Sequence, residues 1–307
     1  MYRLSAVIAL AWCLAAVEDR SSPAAEPAPS PGAKAFRPQQ WYTDYAAAVH
    51  AAQRQRKMLL IYFRQDGSPS GARFESEALA DPTVRTGLEK YVCARLPLDT
   101  QIPIEGKETK LLDHSAFQEM LHTPGIAVID FAHPEAAWFG EVVSTFRFLP
   151  SHWYTPQRVA VMLDLPPGTI TERTMIYAVR VHPERPASSD GRLDSYLREE
   201  ARRHAQYQAD ICRQGHHFWD ARFRRICARL PACLTAKEVC AESWPGQNLV
   251  EAAIECVRCW RLSPGHWSAV RAPQPLYAYD IQRGRNGVWY ATGLFGEGTL
   301  PGSAPEK

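Results

Sequence analysis

Net charge is nearly absent from this chain of 307 residues: 35 Lys and Arg stand against 33 Asp and Glu, leaving +2. Such a balance supplies no electrostatic case for nucleic acid as a partner. Long hydrophobic runs are scarce too. The uncharged stretch Leu4 to Val17 falls short of the roughly 20 apolar residues that a membrane-crossing helix needs, and nothing argues for a multi-span membrane protein. Glycine, at 18 residues, is far too sparse for a collagen. Hydrophobic residues make up 46% and charged residues 22%, so the chain is not disordered as a whole. Its length suffices for two domains, each with a core.

What is present begins with an export pattern. Met1-Tyr2-Arg3 is short and basic, Leu4 to Val17 suits the hydrophobic region of a signal peptide, and small residues come next. We expect a signal peptide over 1–24 and a disordered linker rich in Pro, Ala and Ser over 25–39. That implies a secreted or periplasmic, cell-envelope protein, tied to a membrane only through an uncleaved signal segment. Cys13 suggests a lipoprotein site, but the bulky Trp12 before it argues against one. Export leaves the reducing cytosol, so disulfides become allowed.

The stretch 40–150 reads as a first domain. Tyr42 to Arg56 has helical spacing, and Met58 to Phe63 is a continuous apolar run that suits a strand buried on both faces. A turn at Asp66 to Gly71 leads into a helix over Ala72 to Leu79; Tyr91 to Leu96 and Ile126 to Ile129 read as strands and Ser115 to Leu121 as a helix. This alternation predicts an α/β layer fold. The aromatic-led helix, the strand MLLIYF, the turn into a helix and Thr123-Pro124 before a later strand together resemble the thioredoxin-like family. The resemblance implies a cis-proline at Pro124 and a redox motif at the start of the helix. Ser68-Pro69-Ser70-Gly71 stands where that family has C-x-x-C. A serine hydroxyl forms no disulfide, so Ser68 and Gly71 mark a degenerate, redox-inactive site. Cys93, in an apolar strand, reads as an inert core residue.

Leu165-Pro166-Pro167-Gly168 closes an expected linker over 151–168, and 169–298 reads as a second, α+β domain with a tail over 299–307. Arg173 to Val181 suits a helix or a strand. Leu193 to Ala209 repeats its apolar residues at helical spacing. Phe218 to Leu230 and Asn248 to Arg261 read as helices, and Asn286-Gly287 between two apolar runs signals a hairpin. One constellation carries chemistry: His216-His217, Glu242 and His266 stand near helix ends, from where three loops can bring them to one cleft. Two imidazoles and a carboxylate are a common ligand set for zinc. Ser243 and Ser263 stand close enough in sequence to suggest a nucleophile.

Trp260-Arg261-Leu262-Ser263-Pro264-Gly265-His266, together with Ala201 to His204, His217, Arg222 to Ile226, Ala241-Glu242 and the closing run Gly287 to Phe295, resembles the CAP superfamily (cysteine-rich secretory proteins, antigen 5, pathogenesis-related 1) in its short bacterial, SCP-like form. The resemblance implies an α-β-α sandwich with a cleft holding His217, Glu242 and His266, with His216 a rival for the first place. His217 and His266 are the residues it would offer a metal. It also implies binding of an envelope ligand, whether lipid, glycan or protein. Ser243 stands where the family has Asn, and its second cleft Glu has no match here.

Six cysteines, Cys212, Cys227, Cys233, Cys240, Cys256 and Cys259, crowd this half. In an exported domain they suggest up to three disulfides, while a zinc site built from them is a second reading. Cys256 and Cys259 have redox-like spacing inside an expected helix, where activation by a helix start is missing. The sequence thus predicts an exported binding protein, a CAP-like cleft beside a non-redox thioredoxin-like scaffold. A metal-assisted or His/Glu-dependent hydrolase is the alternative, with His217, Glu242 and His266 as its catalytic residues.

Overall fold

A computed structural model describes residues 40–104, 106–149 and 154–299. The expected signal peptide, the linker at 25–39, Cys13 and all but the first residue of the tail lie outside these residues.

The first unit runs β1 (Trp41–Tyr42), α1 (Tyr45–Gln55), β2 (Met58–Arg64), α2 (Pro69–Arg73), α3 (Pro82–Leu88), β3 (Tyr91–Pro97), the small hairpin β4 (Gln101–Ile104) and β5 (Lys107–Lys110), then β6 (Gly125–Ile129) and β7 (Val142–Arg147). A π-helical turn, Phe74–Ala78, succeeds α2, and 3₁₀ turns occupy Leu111–Asp113 and Ser115–Met120. Five strands form one sheet in the order β1-β3-β2-β6-β7, parallel across β1, β3 and β2 and antiparallel beyond. β2 sits in its middle, and Met58 to Phe63 are all buried. That is why this strand reads as an unbroken apolar run. Ala48, Ala51 and Ala52 of α1 cover one face with Leu59, Ile61 and Phe63; Leu60 and Tyr62 point to the other face, with Phe74, Val84 and Leu88.

The second unit runs α4 (Pro156–Leu163), α5 (Ile170–Arg180), β8 (Arg192–Leu193), α6 (Ser195–Ile211), α7 (Trp219–Cys227), β9 (Leu234–Glu242), α8 (Leu249–Leu262), α9 (Pro264–Arg271), β10 (Leu276–Arg283) and β11 (Trp289–Gly298). β10 and β11 form the expected hairpin, with Ile281 opposite Ala291. The four-stranded mixed sheet has the order β8-β10-β11-β9, which leaves β9 on an edge. Helices cover both faces. α6 and α7 pack Leu197, Ala201 and Ile226 on one side, with Ala278 and Leu294. On the other, α5, α8 and α9 pack Tyr177, Trp260 and Trp267 with Tyr279 and Phe295.

Two expectations are corrected by this architecture. The stretch 151–168 is not a linker from Pro156 onward: α4 starts there, capped by Thr155, and buries Val159, Met162 and Leu163. Besides a cluster of its own in each half, the two halves also share a core. One continuous cluster runs from Leu60 and Val128 of the first sheet through Ile176 of α5 to Tyr279 of the second. Both polar ends of α5 are tied down by charge and capping, which lets its middle be apolar all round. Thr169 accepts from the Glu172 amide while Glu172 accepts from the Thr169 amide, a reciprocal capping box. α8 repeats the device with Asn248, whose side chain accepts from the Val250 and Glu251 amides at 3.1 Å each. Asn248→Ala should lower stability by about 1 kcal/mol, read by urea unfolding; an unchanged midpoint would show the cap to be idle.

Candidate functional site

α6 places the first residue of the site. Its buried stripe includes Leu197, Ala201, Ala205 and, in the same register, His204 and Gln208. Two polar side chains thus face the sheet where apolar ones are the rule. α6 stops at Cys212, whose left-handed backbone (φ 51°) turns the chain, and the loop beyond it lays His216 over β9. Along β9, alternate residues share a face. Glu238 and Cys240 therefore both point toward α6, and both are buried. His266 arrives from α9, where Pro264 fixes the first turn. The site lies at the edge strand, where the helical layers of both faces can reach it.

The contacts form a chain. Glu238 Oε1 is 3.0 Å from His216 Nδ1, and His216 Nε2 is 3.1 Å from His266 Nε2, so one imidazole donates to the other. Glu238 Oε2 pairs with Arg222 of α7 and lies 3.3 Å from His204 Nδ1. Cys240 Sγ is 3.7 Å from Nδ1 of both His204 and His216. Gln208 donates to Thr292 Oγ1 (2.9 Å), which lies 3.2 Å from His204 Nδ1. Burial pushes the Glu238 carboxyl up, but hydrogen bonds from His216 and Arg222 more than reverse that and hold it below its ordinary value. Burial brings His204 down to about 4, keeping its imidazole neutral. Burial, with His216 beside it, also lowers His266. Burial and the Glu238 charge push the Cys240 thiol up.

This differs from the expected trio in two of its three members. His266 is in the site. His217 does not join the hydrogen-bonded chain: its Nε2 pairs with the Arg213 carbonyl at 3.2 Å, and its ring stands 5.5 Å from that of Tyr207 and 6.1 Å from that of His204. Among the described residues no hydrogen bond or ring contact joins His217 to Glu242 or His266, so the pair expected to hold zinc does not converge. His216, the rival, faces the site instead. Glu242 ends β9, exposed, two strand periods or roughly 13 Å beyond Glu238. Glu242 belongs to a strand, not a loop, and Glu238 takes its role. Ser243 is spoken for structurally, accepting from the Trp289 amide and donating to the Trp244 carbonyl, both at 3.0 Å.

In the first unit, Ser68 caps α2 by accepting from the Gly71 amide at 3.2 Å, and Ser70 donates to the Leu149 carbonyl at 2.8 Å. A Cβ at Gly71 would come within 3.0 Å of the Tyr62 hydroxyl. Serine and glycine at these positions do packing and capping work. The peptide before Pro124 is not cis, which corrects the expectation there. Thr123 is fixed instead by donating to the Met120 carbonyl and accepting from Arg147. The sheet order and this helix start come with a match to a thioredoxin-like family over residues 40–130.

Residues 40–130 form a thioredoxin-like domain. A thioredoxin from Thermus thermophilus, known from its solution structure, is similar at 21% identity and a TM-score of 0.27, over 40% of this chain and 83% of that one. No curated protein matches the chain. Within the thioredoxin-like domain Cys93 is buried in β3, and burial raises its thiol to about 12, so it is the inert core residue expected. The six cysteines of the other half are free thiols, Cys240 and Cys256 buried and Cys233 exposed, so the disulfide expectation is not met in this structure. Cys256 and Cys259 lie within α8 with both thiols pushed up by burial. That removes the thiolate character redox chemistry needs.

Proposed function

We propose that the chain is a hydrolase of the cell envelope, its thioredoxin-like domain a redox-inactive scaffold and its working centre His216, Glu238 and His266. The observation that carries this is the carboxylate–imidazole–imidazole chain. Glu238 is buried and fixes His216 by one ring nitrogen, which leaves the other, on a half-exposed ring, to exchange protons with His266 and a substrate. An orienting carboxylate behind a base is the arrangement that general acid–base catalysis uses. A depressed His266 is neutral at physiological pH and free to take a proton. Titratable groups rather than apolar ones line the centre, which favours chemistry over lipid capture.

An aromatic rim beside the centre supplies a substrate platform. Tyr207 packs against His217 and, at 5.6 Å, against Phe218. Phe218 is 69% exposed and holds a left-handed backbone (φ 54°), a strain that persists where the surroundings impose it. Such a rim suits a sugar ring or an acyl chain of an envelope ligand. The same rim favours the second reading, a non-catalytic binding module. Export rests on residues 1–24. A CAP-like origin of 169–298 remains part of the proposal, supported by the Trp260 to His266 run and by helices on both faces of a mixed sheet.

The test uses p-nitrophenyl acetate, p-nitrophenyl phosphate and p-nitrophenyl N-acetylglucosaminide with the full chain. One of them should be turned over, with His216→Ala and His266→Ala each lowering the rate on the order of 10²–10⁴-fold. No turnover of any probe, or equal turnover in both variants, would remove the hydrolase and leave the binding module.

A further inference from the structure

The donor atoms around Cys240 are spaced like the ligands of an ion. We infer that His204, Glu238 and Cys240 hold a divalent transition metal, zinc foremost, with His216 beside the last two and one position left open. The inference deepens the hydrolase reading and rests on it for purpose, though not for geometry. His216 Nδ1 and His204 Nδ1 lie 3.0 and 3.3 Å from the two carboxylate oxygens of Glu238, and each lies 3.7 Å from Cys240 Sγ. Around a tetrahedral zinc, with bonds of about 2.0–2.1 Å to nitrogen or oxygen and about 2.3 Å to sulfur, neighbouring donors stand about 3.3–3.6 Å apart. One atom each of His204, Glu238 and Cys240 already falls within 4.8 Å of the other two, and all three residues are buried.

The donor types agree with the spacing. An imidazole, a thiol and a carboxylate make a borderline-soft set that selects zinc or cobalt over magnesium or calcium. The surroundings hold the donors in place. Arg222 fixes the carboxylate, and His266 engages the outer nitrogen of His216. Outer contacts of this kind orient metal ligands. A buried imidazole, thiol and carboxylate are otherwise a costly group to desolvate together, and a cation at their centre offsets that cost. On binding, the Cys240 thiol proton leaves to solvent and the thiolate electron pair forms the metal–sulfur bond. Thiolate, carboxylate, guanidinium and ion then sum to one positive charge. Pairing through Cys240 as a metal ligand also explains why a lone cysteine sits opposite two histidines without a disulfide partner.

The experiment is a cobalt(II) titration of the chelator-stripped full chain. We expect one ion per chain, with a thiolate-to-cobalt charge-transfer absorption that zinc abolishes by displacement. Cys240→Ser should lose that absorption. His204→Ala and Glu238→Gln should weaken binding on the order of 10–100-fold or more, while His50→Ala, at an exposed histidine of the first unit, should bind as the parent does. Far-ultraviolet circular dichroism checks that each variant is folded. No bound cobalt, or an unchanged spectrum in Cys240→Ser, overturns the site. Turnover that survives chelation and still depends on His216 and His266 overturns any part for the ion in the reaction and keeps the hydrolase. A cobalt-loaded chain with the charge-transfer band but no turnover keeps the site and removes the hydrolase.

Discussion

Asparagine in place of Asp280 should stabilise the protein near pH 8 and change it little near pH 4. Asp280 is wholly buried on β10. Gln282 donates to its Oδ1 at 2.7 Å, and its Oδ2 has no hydrogen-bond partner among the described residues. Burial, with the Glu172 charge nearby, raises its carboxyl from 3.8 to about 7. The folded chain therefore keeps this proton through a pH range in which the unfolded chain has released it. Folding binds more protons than unfolding there, so stability falls as pH rises from about 4 to about 7 and is flat above. A shift of this size corresponds to about 4 kcal/mol of instability at neutral pH. Asparagine has the shape and donor of the protonated acid and never ionises. Urea unfolding of both proteins near each pH checks this. A variant destabilised equally at both would show that the carboxylate has a partner and is not strained.

Arg173→Ala is expected to be the most damaging single change outside the candidate centre, at about 3–5 kcal/mol. Arg173 stands on α5 with no exposure at all. Its Nε donates to Ser144 of β7 at 2.9 Å, and its Nη1 donates to the Leu165 and Pro166 carbonyls at 3.1 and 2.8 Å. Burial lowers its pKa, and among the described residues no carboxylate pairs with it; Asp130, an acid whose charge acts on it, is held by His133 and Trp138. The side chain is thus a bolt between the first sheet and the helices beyond, held by neutral acceptors. Alanine removes its volume and strands three of those acceptors. Because the core is continuous, both sheets should be lost in one transition at lower urea. A shift below about 1 kcal/mol, or two separated transitions, would show that the halves stand independently.

Strong apolar periodicity made much of the fold legible in the sequence. Met58 to Phe63, the α6 stripe from Leu197 to Ala209 and the hairpin around Asn286-Gly287 all appear as expected. β9 was not legible, for a physical reason. In Leu234–Glu242 the buried positions include Glu238, so the alternation that marks a half-buried strand fails at the residue that makes the site. His204 was hidden in the same way, as a polar side chain in an apolar stripe. α9 was hidden by Pro264 and Gly265, which read as a loop although proline is at home in a first helical turn. The doublet His216-His217 left the register open, and only the turn after Cys212 decides which ring faces inward.

The shared helix layer also bears on how the gene can change. α5 presents Met175, Ile176, Tyr177 and Val179 to neighbours on both sides. A shortened chain that kept only the thioredoxin-like portion, or only the portion beyond it, would turn one of these greasy flanks to water and invite clumping. Recombination that swapped either portion for an unrelated one would have to rewrite α5 at the same time, so the two portions are bound to be inherited as a single piece.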